Sequence, residues 1–278
     1  MVECRRVIPA TMFWPRCSVW MKNWPLVFVA LLLPLQPAVA EEGEAFRVRA
    51  GLGAQSRPEF IGADSNKWSP LVDFSFQKGT DPFDFEAPDD GLDIKLISKD
   101  GFSLGPVANL QGNRKDSEIS APLGKVSTTF EAGAFVQYEV SDSVRLRMEL
   151  RKGIGGHEGI VGNLGADHIW RKGDRYIFSL GPRLLFSNAR YQRAWFGVGS
   201  DASSASGLDE YRPDGGVYGV AGTGGVHYQL GGDFGLFGYA RFERLVGDAA
   251  KSPVIRELGS RNQASAGAGL TYTFTVRR

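Results

Sequence analysis

Apolar and polar residues alternate along most of this chain beyond residue 44. Between Val144 and Arg151, Val144, Leu146, Met148 and Leu150 are apolar, while Arg145, Arg147, Glu149 and Arg151 are charged. A period of two is the period of a β-strand, and no helical stripe can be drawn through it. Phe130, Ala132, Ala134, Val136, Tyr138 and Val140 share a face opposite Glu131, Gly133, Gln137 and Glu139. Near the end, Ala264, Ala266, Ala268, Leu270, Tyr272 and Phe274 oppose Ser265, Gly267, Gly269, Thr271 and Thr273. The pattern predicts twelve strands, at residues 45–53, 68–77, 83–87, 92–98, 102–110, 127–140, 144–153, 164–171, 175–186, 217–230, 234–245 and 262–275. No segment reads as a helix of useful length.

The connections alternate in length. Lys99-Asp100-Gly101, Ser141-Asp142-Ser143, Lys172-Gly173-Asp174 and Gly231-Gly232-Asp233 are tight turns, with Lys78–Asp81 a fifth. Between them lie longer polar stretches at residues 54–67, 111–125, 154–163, 187–216 and 246–261, with 88–91 the shortest. Short turns on one side and long loops on the other are the layout of an outer-membrane barrel. An even strand number puts both chain ends on the short-turn side. Aromatic residues flank the turns on the apolar face, namely Phe76, Phe102, Tyr138, Trp170, Tyr176, Tyr228 and Phe234. Phe46 and Phe274 hold the matching places at the termini. Such a girdle keeps ring bodies in lipid and polar edges at the headgroups. A soluble β-sandwich or lipocalin-like barrel also alternates, but has no reason to ring one end with aromatics on its apolar face. The expected fold is therefore all-β, a transmembrane antiparallel β-barrel of about 12 strands in outer-membrane lipid.

Residues 21–40 interrupt this picture. Lys22 supplies a positive start, Leu26–Leu33 an apolar run, and Ala38-Val39-Ala40 a small-residue cleavage site. The run is too short for a transmembrane anchor and reads as a signal peptide. Residues 1–40 are thus expected to be a removed leader, with Met21 a candidate true start. Residues 41–278 form a single barrel domain of a Gram-negative outer membrane. The cut would take away both cysteines, Cys4 and Cys17, and leave 28 basic against 30 acidic side chains.

Composition fits this reading. The whole chain carries 32 Lys and Arg against 31 Asp and Glu, whereas a nucleic-acid binder shows a basic excess. A mean hydropathy of −0.18 excludes several apolar helical spans, though not a barrel whose strands are half polar. Glycine is abundant, 36 of 278 residues, about twice the usual ~7 %. Gly222, Gly224, Gly225, Gly235, Gly238, Gly267 and Gly269 fall within predicted strands, where a closed barrel uses them to relieve inward crowding.

The inward face carries the charge: Arg47, Arg49, Asp73, Lys95, Glu131, Glu139, Arg145, Arg147, Glu149, Arg151, Asp167, Arg183, Arg241 and Glu243. The expected arrangement is a self-neutralising ion-pair network filling the lumen; the alternative is a narrow polar pore. Few groups suggest chemistry. His157 lies beside Glu158 in an outer loop, His168 on the apolar face near Trp170, and His227 points inward. Three scattered histidines have no metal-ligand spacing, and loop structure accounts better for His157. Ser179 and His227 are read on non-adjacent strands, without a nucleophile motif. Gly153-Ile154-Gly155-Gly156 lacks the Lys-Ser/Thr of a phosphate loop. The residues therefore name no catalytic, cofactor-binding or metal site, and the protein is expected not to be an enzyme.

Five loop segments add a resemblance. They are Pro58-Glu59-Phe60-Ile61-Gly62-Ala63-Asp64, Gly156-His157-Glu158-Gly159, Trp195-Phe196-Gly197-Val198, Ser206-Gly207-Leu208-Asp209-Glu210-Tyr211 and Gly247-Asp248-Ala249-Ala250-Lys251-Ser252-Pro253. With them the chain resembles the MipA/OmpV family of outer-membrane proteins over residues 45–274. Gly269, Tyr272 and Phe274 look like the family's terminal assembly signal, here followed by Thr275-Val276-Arg277-Arg278. The resemblance implies an envelope scaffold whose partners are a murein-degrading lytic transglycosylase and a murein-synthesising penicillin-binding protein. It also implies alternatives, an adhesin or a small porin-like channel. Gly247–Pro253 opens a long outer loop, and it is expected to fold inward or to meet Pro58–Asp64, constricting the mouth.

Overall fold

The computed structural model describes residues 45–119 and 121–277. The segment read as a signal peptide lies outside the described residues. The strands are β1 (Ala45–Pro58), β2 (Asn66–Lys78), β3 (Leu92–Asp93), β4 (Ile97–Lys99), β5 (Phe102–Gln111), β6 (Thr129–Ser141), β7 (Val144–Ile154), β8 (Ile160–Lys172), β9 (Tyr176–Ser187), β10 (Gly216–Gly231), β11 (Phe234–Leu245) and β12 (Asn262–Arg277). They make one curled antiparallel sheet in the order β2-β1-β12-β11-β10-β9-β8-β7-β6-β5-β3, with β4 also on β5. The first and last long strands pair from Ala45 with Arg277 to Ser56 with Ala266, so both ends of the barrel chain lie on the short-turn side. Among the described residues no ladder joins β2 to β3 or β4, and the wall has a seam there.

The burial pattern is inverted relative to a soluble protein. Along β7, Arg145 is 2 % exposed and Leu146 43 %, and the alternation continues through Arg147, Met148, Glu149 and Leu150. Charges face the lumen and apolar side chains face outward, as lipid requires. The turn-flanking aromatics sit on that outer face in neighbouring pairs. Phe46 stacks on Phe76 at 5.3 Å, Trp170 meets Phe178 at 5.3 Å, and Phe234 meets Tyr272 edge-on at 5.0 Å. His168 lies beside Trp170 at 4.2 Å on the same face.

Three expectations are corrected. Residues 83–87 are not a strand of the wall. The chain after β2 enters the lumen, where Phe83 and Ala87 are buried, and returns to the wall at β3. Arginines cover its two aromatic rings: Arg47 and Arg49 each lie 4.7 Å from the Phe83 ring, and Arg145 4.6 Å from the Phe85 ring. Second, the loops read as irregular contain four short helices, α1 (Ala189–Phe196), α2 (Ser200–Ser206), α3 (Gly247–Lys251) and α4 (Pro253–Glu257). Helices this short are marginal alone and depend on packing against the loops around them. Third, Ser179 and His227 are on neighbouring strands, since β9 pairs with β10 through Ser179–Gly225 and Ile177–His227.

Candidate functional site

The lumen and its outer mouth hold the structured polar chemistry of this chain. Residues 83–91 run through the lumen and, with Asp93 at the start of β3, are fixed to its wall by carboxylates. Asp89 accepts from Arg183 at 3.0 Å, from Thr223 Oγ1 at 3.1 Å and from Arg241. Asp90 pairs with Arg145 at 2.6 Å, and Asp93 with Arg147 at 2.7 Å. The backbone N–H of Gly91 donates to Glu149 at 3.2 Å, and that of Phe83 to Asp174 at 2.9 Å. Gly225 makes room for the segment: a Cβ there would come within 2.6 Å of Pro88.

Wall carboxylates satisfy the same arginines from behind. Asp167 bridges Arg145 at 2.6 Å and Arg183 at 2.7 Å, and Glu131 holds Arg151 at 2.9 Å. Glu149 pairs with Arg147 at 2.8 Å and with Arg151. This is the expected self-neutralising network, joined by Asp89, Asp90 and Asp93 from the inner segment. Buried charges persist only when paired and hydrogen-bonded; Asp89, Asp90, Asp167, Glu131 and Glu149 each have more than one partner, and Asp93 has Arg147. Of the inward charges named from the sequence, Lys95 pairs instead with exposed Asp84 at 2.6 Å.

At the outer mouth a hydrophobic cluster packs the loops together. Phe60, Val161, Leu185, Tyr191, Trp195, Phe196, Tyr218, Leu245, Val254 and Ile255 belong to it. Asn188 caps α1 by accepting from the Tyr191 N–H at 3.1 Å. Ser252 ends α3 and caps α4: its Oγ accepts from the Val254 N–H at 3.2 Å and donates to the Phe196 carbonyl at 2.6 Å. Tyr211 donates to the Asp248 carbonyl at 2.9 Å. The Asp248 carboxylate accepts from Lys251 at 3.1 Å and from the Asp214 N–H at 3.2 Å, which holds its pKa below the ordinary carboxylate value.

His157 is a brace of this cap. It is buried, its Nε2 lies 3.0 Å from Glu131, and its Nδ1 accepts from the Gly159 N–H at 3.0 Å. An accepting Nδ1 puts the ring proton on Nε2, facing the carboxylate. Tyr191 packs edge-on at 4.8 Å. At Gly159 a Cβ would meet the Tyr191 backbone and Cβ at about 2.6 Å, so this position admits only glycine without a shift. The loop after β11 does meet Pro58–Asp64, through residues just past the expected ones. Gly62 has a φ of +94° and fits beneath Ile255, and Ser260 donates to the Gly62 carbonyl at 2.9 Å. All five loop segments quoted above therefore converge on the cap. No group of three His, Cys, Asp or Glu suited to a metal occurs among the described residues.

An inverted curled sheet with a charged, filled lumen and an aromatic outer girdle defines an outer-membrane β-barrel. The family model of MltA-interacting protein MipA matches residues 50–274, and the chain belongs to that family. No curated relative matches. Similar solved structures include Neisserial surface protein A, at 13 % identity, covering 84 % of this chain and 100 % of that one, with a TM-score of 0.25. The KdgM porin, solved with disordered oligogalacturonate, shares 10 % identity over 84 % of this chain and 99 % of its own, with a TM-score of 0.34. The outer membrane channel DcaP of Acinetobacter baumannii shares 9 % over 84 % and 96 %, with a TM-score of 0.35.

Proposed function

We propose that this barrel is a non-enzymatic scaffold of the cell envelope, exported by its leader, which holds murein enzymes at the inner face of the outer membrane. The observation that carries this reading is the filled lumen. A segment anchored by Asp89, Asp90 and Asp93 crosses it, and a hydrophobic cap narrows its outer end. A barrel obstructed in this way offers surfaces more readily than a path. The description of the family as interacting with MltA supports the murein-degrading lytic transglycosylase as one partner, and the family resemblance pairs it with a penicillin-binding protein. Such partners work where murein lies, so they meet the short-turn end. There a polar recess of about 400 Å³, lined by Arg47, Phe83, Asp174, Arg175 and Asp233, opens beneath the inner segment.

Affinity capture from detergent extracts tests this. Recovery of a murein hydrolase or synthase, lost when Arg175 and Asp233 are replaced, supports the scaffold. Efficient capture of the barrel with neither enzyme contradicts it and leaves the channel or adhesin.

A further inference from the structure

The seam between β2 and β3 has a cavity behind it. Its volume is about 160 Å³, and its lining includes lumen-side Arg49, Asp73 and His227 together with outward Val72, Phe74 and Leu92. The last three are highly exposed on the lipid face. Lining of both kinds is what a passage through the wall produces, and it falls where the ladder is interrupted. Pro70, which has no N–H to donate, lies in β2, and an edge strand tolerates proline.

Inside the cavity three buried polar atoms have no hydrogen-bond partner in the protein: Arg49 Nε, Asp73 Oδ2 and His227 Nδ1. Arg49 is only 6 % exposed. Asp73 stands between the other two, 3.7 Å from Arg49 Nε and 3.6 Å from His227 Nε2. Both distances exceed a hydrogen bond. The guanidinium is held elsewhere, donating to Ser75 Oγ at 3.0 Å and lying over Phe83. His227 stacks on Phe237 at 6.1 Å. The groups are thus fixed around a gap, with a donor at Arg49 and an acceptor at Asp73.

We propose that this cavity binds a small aromatic molecule bearing one hydroxyl, a phenol-class compound, entering from the bilayer through the β2–β3 seam. The hydroxyl oxygen accepts from Arg49 Nε–H, and its hydrogen is donated to Asp73 Oδ2. The ring lies among Phe237, Ile177 and Leu71, which also line the cavity. The volume suits one ring, since a cavity of roughly 150 Å³ accepts benzene. A carboxylate is repelled by Asp73, Asp84, Glu86 and Asp90, which line the cavity together, whereas a plain hydrocarbon leaves Arg49 Nε and Asp73 Oδ2 without partners. This inference is independent of the scaffold reading.

The test uses the full chain folded in detergent micelles and ¹⁹F NMR of 4-fluorophenol, with fluorobenzene as the partitioning control. The expected result is saturable broadening of 4-fluorophenol that phenol reverses, and none that saturates for fluorobenzene. Asp73→Asn is expected to weaken binding about tenfold, the usual scale for one hydrogen bond to a charged group. Ser179→Phe, which fills the cavity from β9, is expected to abolish it. Unboiled-gel mobility verifies that each variant is folded, and Arg49→Met repeats the test if Asp73→Asn is not. Equal behaviour of the two fluorinated probes, as when only water occupies the cavity, overturns the proposal. So does undiminished binding to folded Asp73→Asn or Arg49→Met.

Discussion

Asp89 and Arg183 are joined at 3.0 Å although they are 94 residues apart in sequence. The pair ties a segment that has left the wall to a strand on the far side of the lumen. Without Asp89 the wall arginines keep their own carboxylates, Asp167 for Arg183 and Glu243 for Arg241, so only the segment loses its hold. The paired substitution Asp89→Asn with Asp90→Asn is therefore expected to free residues 83–91 while the wall stays folded. A cysteine placed at buried Ala87 reports this, because the chain has no other cysteine beyond Cys17. Labelling by a water-soluble maleimide is expected to be slow in the parent and at least about tenfold faster with both substitutions. Equal rates would mean that Asp89 and Asp90 do not anchor the segment.

The cap depends on Ser252, whose hydroxyl serves α4 and the Phe196 carbonyl together. Ser252→Ala removes an N-cap, worth typically ~1 kcal/mol, and a further buried hydrogen bond worth about 1 kcal/mol. The temperature at which the folded band converts to the unfolded one on gels is expected to fall. An unchanged midpoint would show that the cap contributes nothing to barrel stability.

The inverted wall makes an asymmetric prediction along β7. Met148 faces lipid and is partly exposed, while its neighbour Arg147 is buried in the lumen. Met148→Arg is expected to cost about 2–4 kcal/mol near the bilayer midplane and to lower recovery in the outer-membrane fraction. Met148→Leu is expected to be neutral. Indifference to the arginine would argue against lipid on that face.

Acid is expected to loosen the outer loop around Asp248. Its pKa is lowered by the Lys251 hydrogen bond first and by the Asp214 N–H next. A depressed carboxylate contributes stability above its unfolded value and loses it as pH falls through the folded one. Amide exchange at Asp214, corrected for intrinsic rates, should thus lose protection only below the ordinary carboxylate range. Asp248→Asn should remove that pH dependence.

The wall was legible in the sequence because lipid outside and charge inside enforce a strict period of two, as at Val144–Arg151. The inner segment was not, because Asp84, Phe85 and Glu86 alternate like a wall strand. Only the arginines over Phe83 and Phe85, which come from distant strands, distinguish a lumen segment from a lipid-facing one. The short helices escaped for a related reason. Gly247–Lys251 and Pro253–Glu257 span too few residues for a periodic signal, although Ser252-Pro253 carries a readable cap and first-turn proline. The loop motifs marked the cap, but their mutual contacts through Ile255, Ser252 and Tyr211 needed the fold.

A barrel obstructed by its own chain should not conduct, and single-channel recording in planar bilayers reads this without intermediaries. No steady conductance steps are expected for the parent protein, and steps are expected once Asp89→Asn and Asp90→Asn release the inner segment. Steady open conductance from the folded parent would contradict that obstruction and favour the porin-like reading.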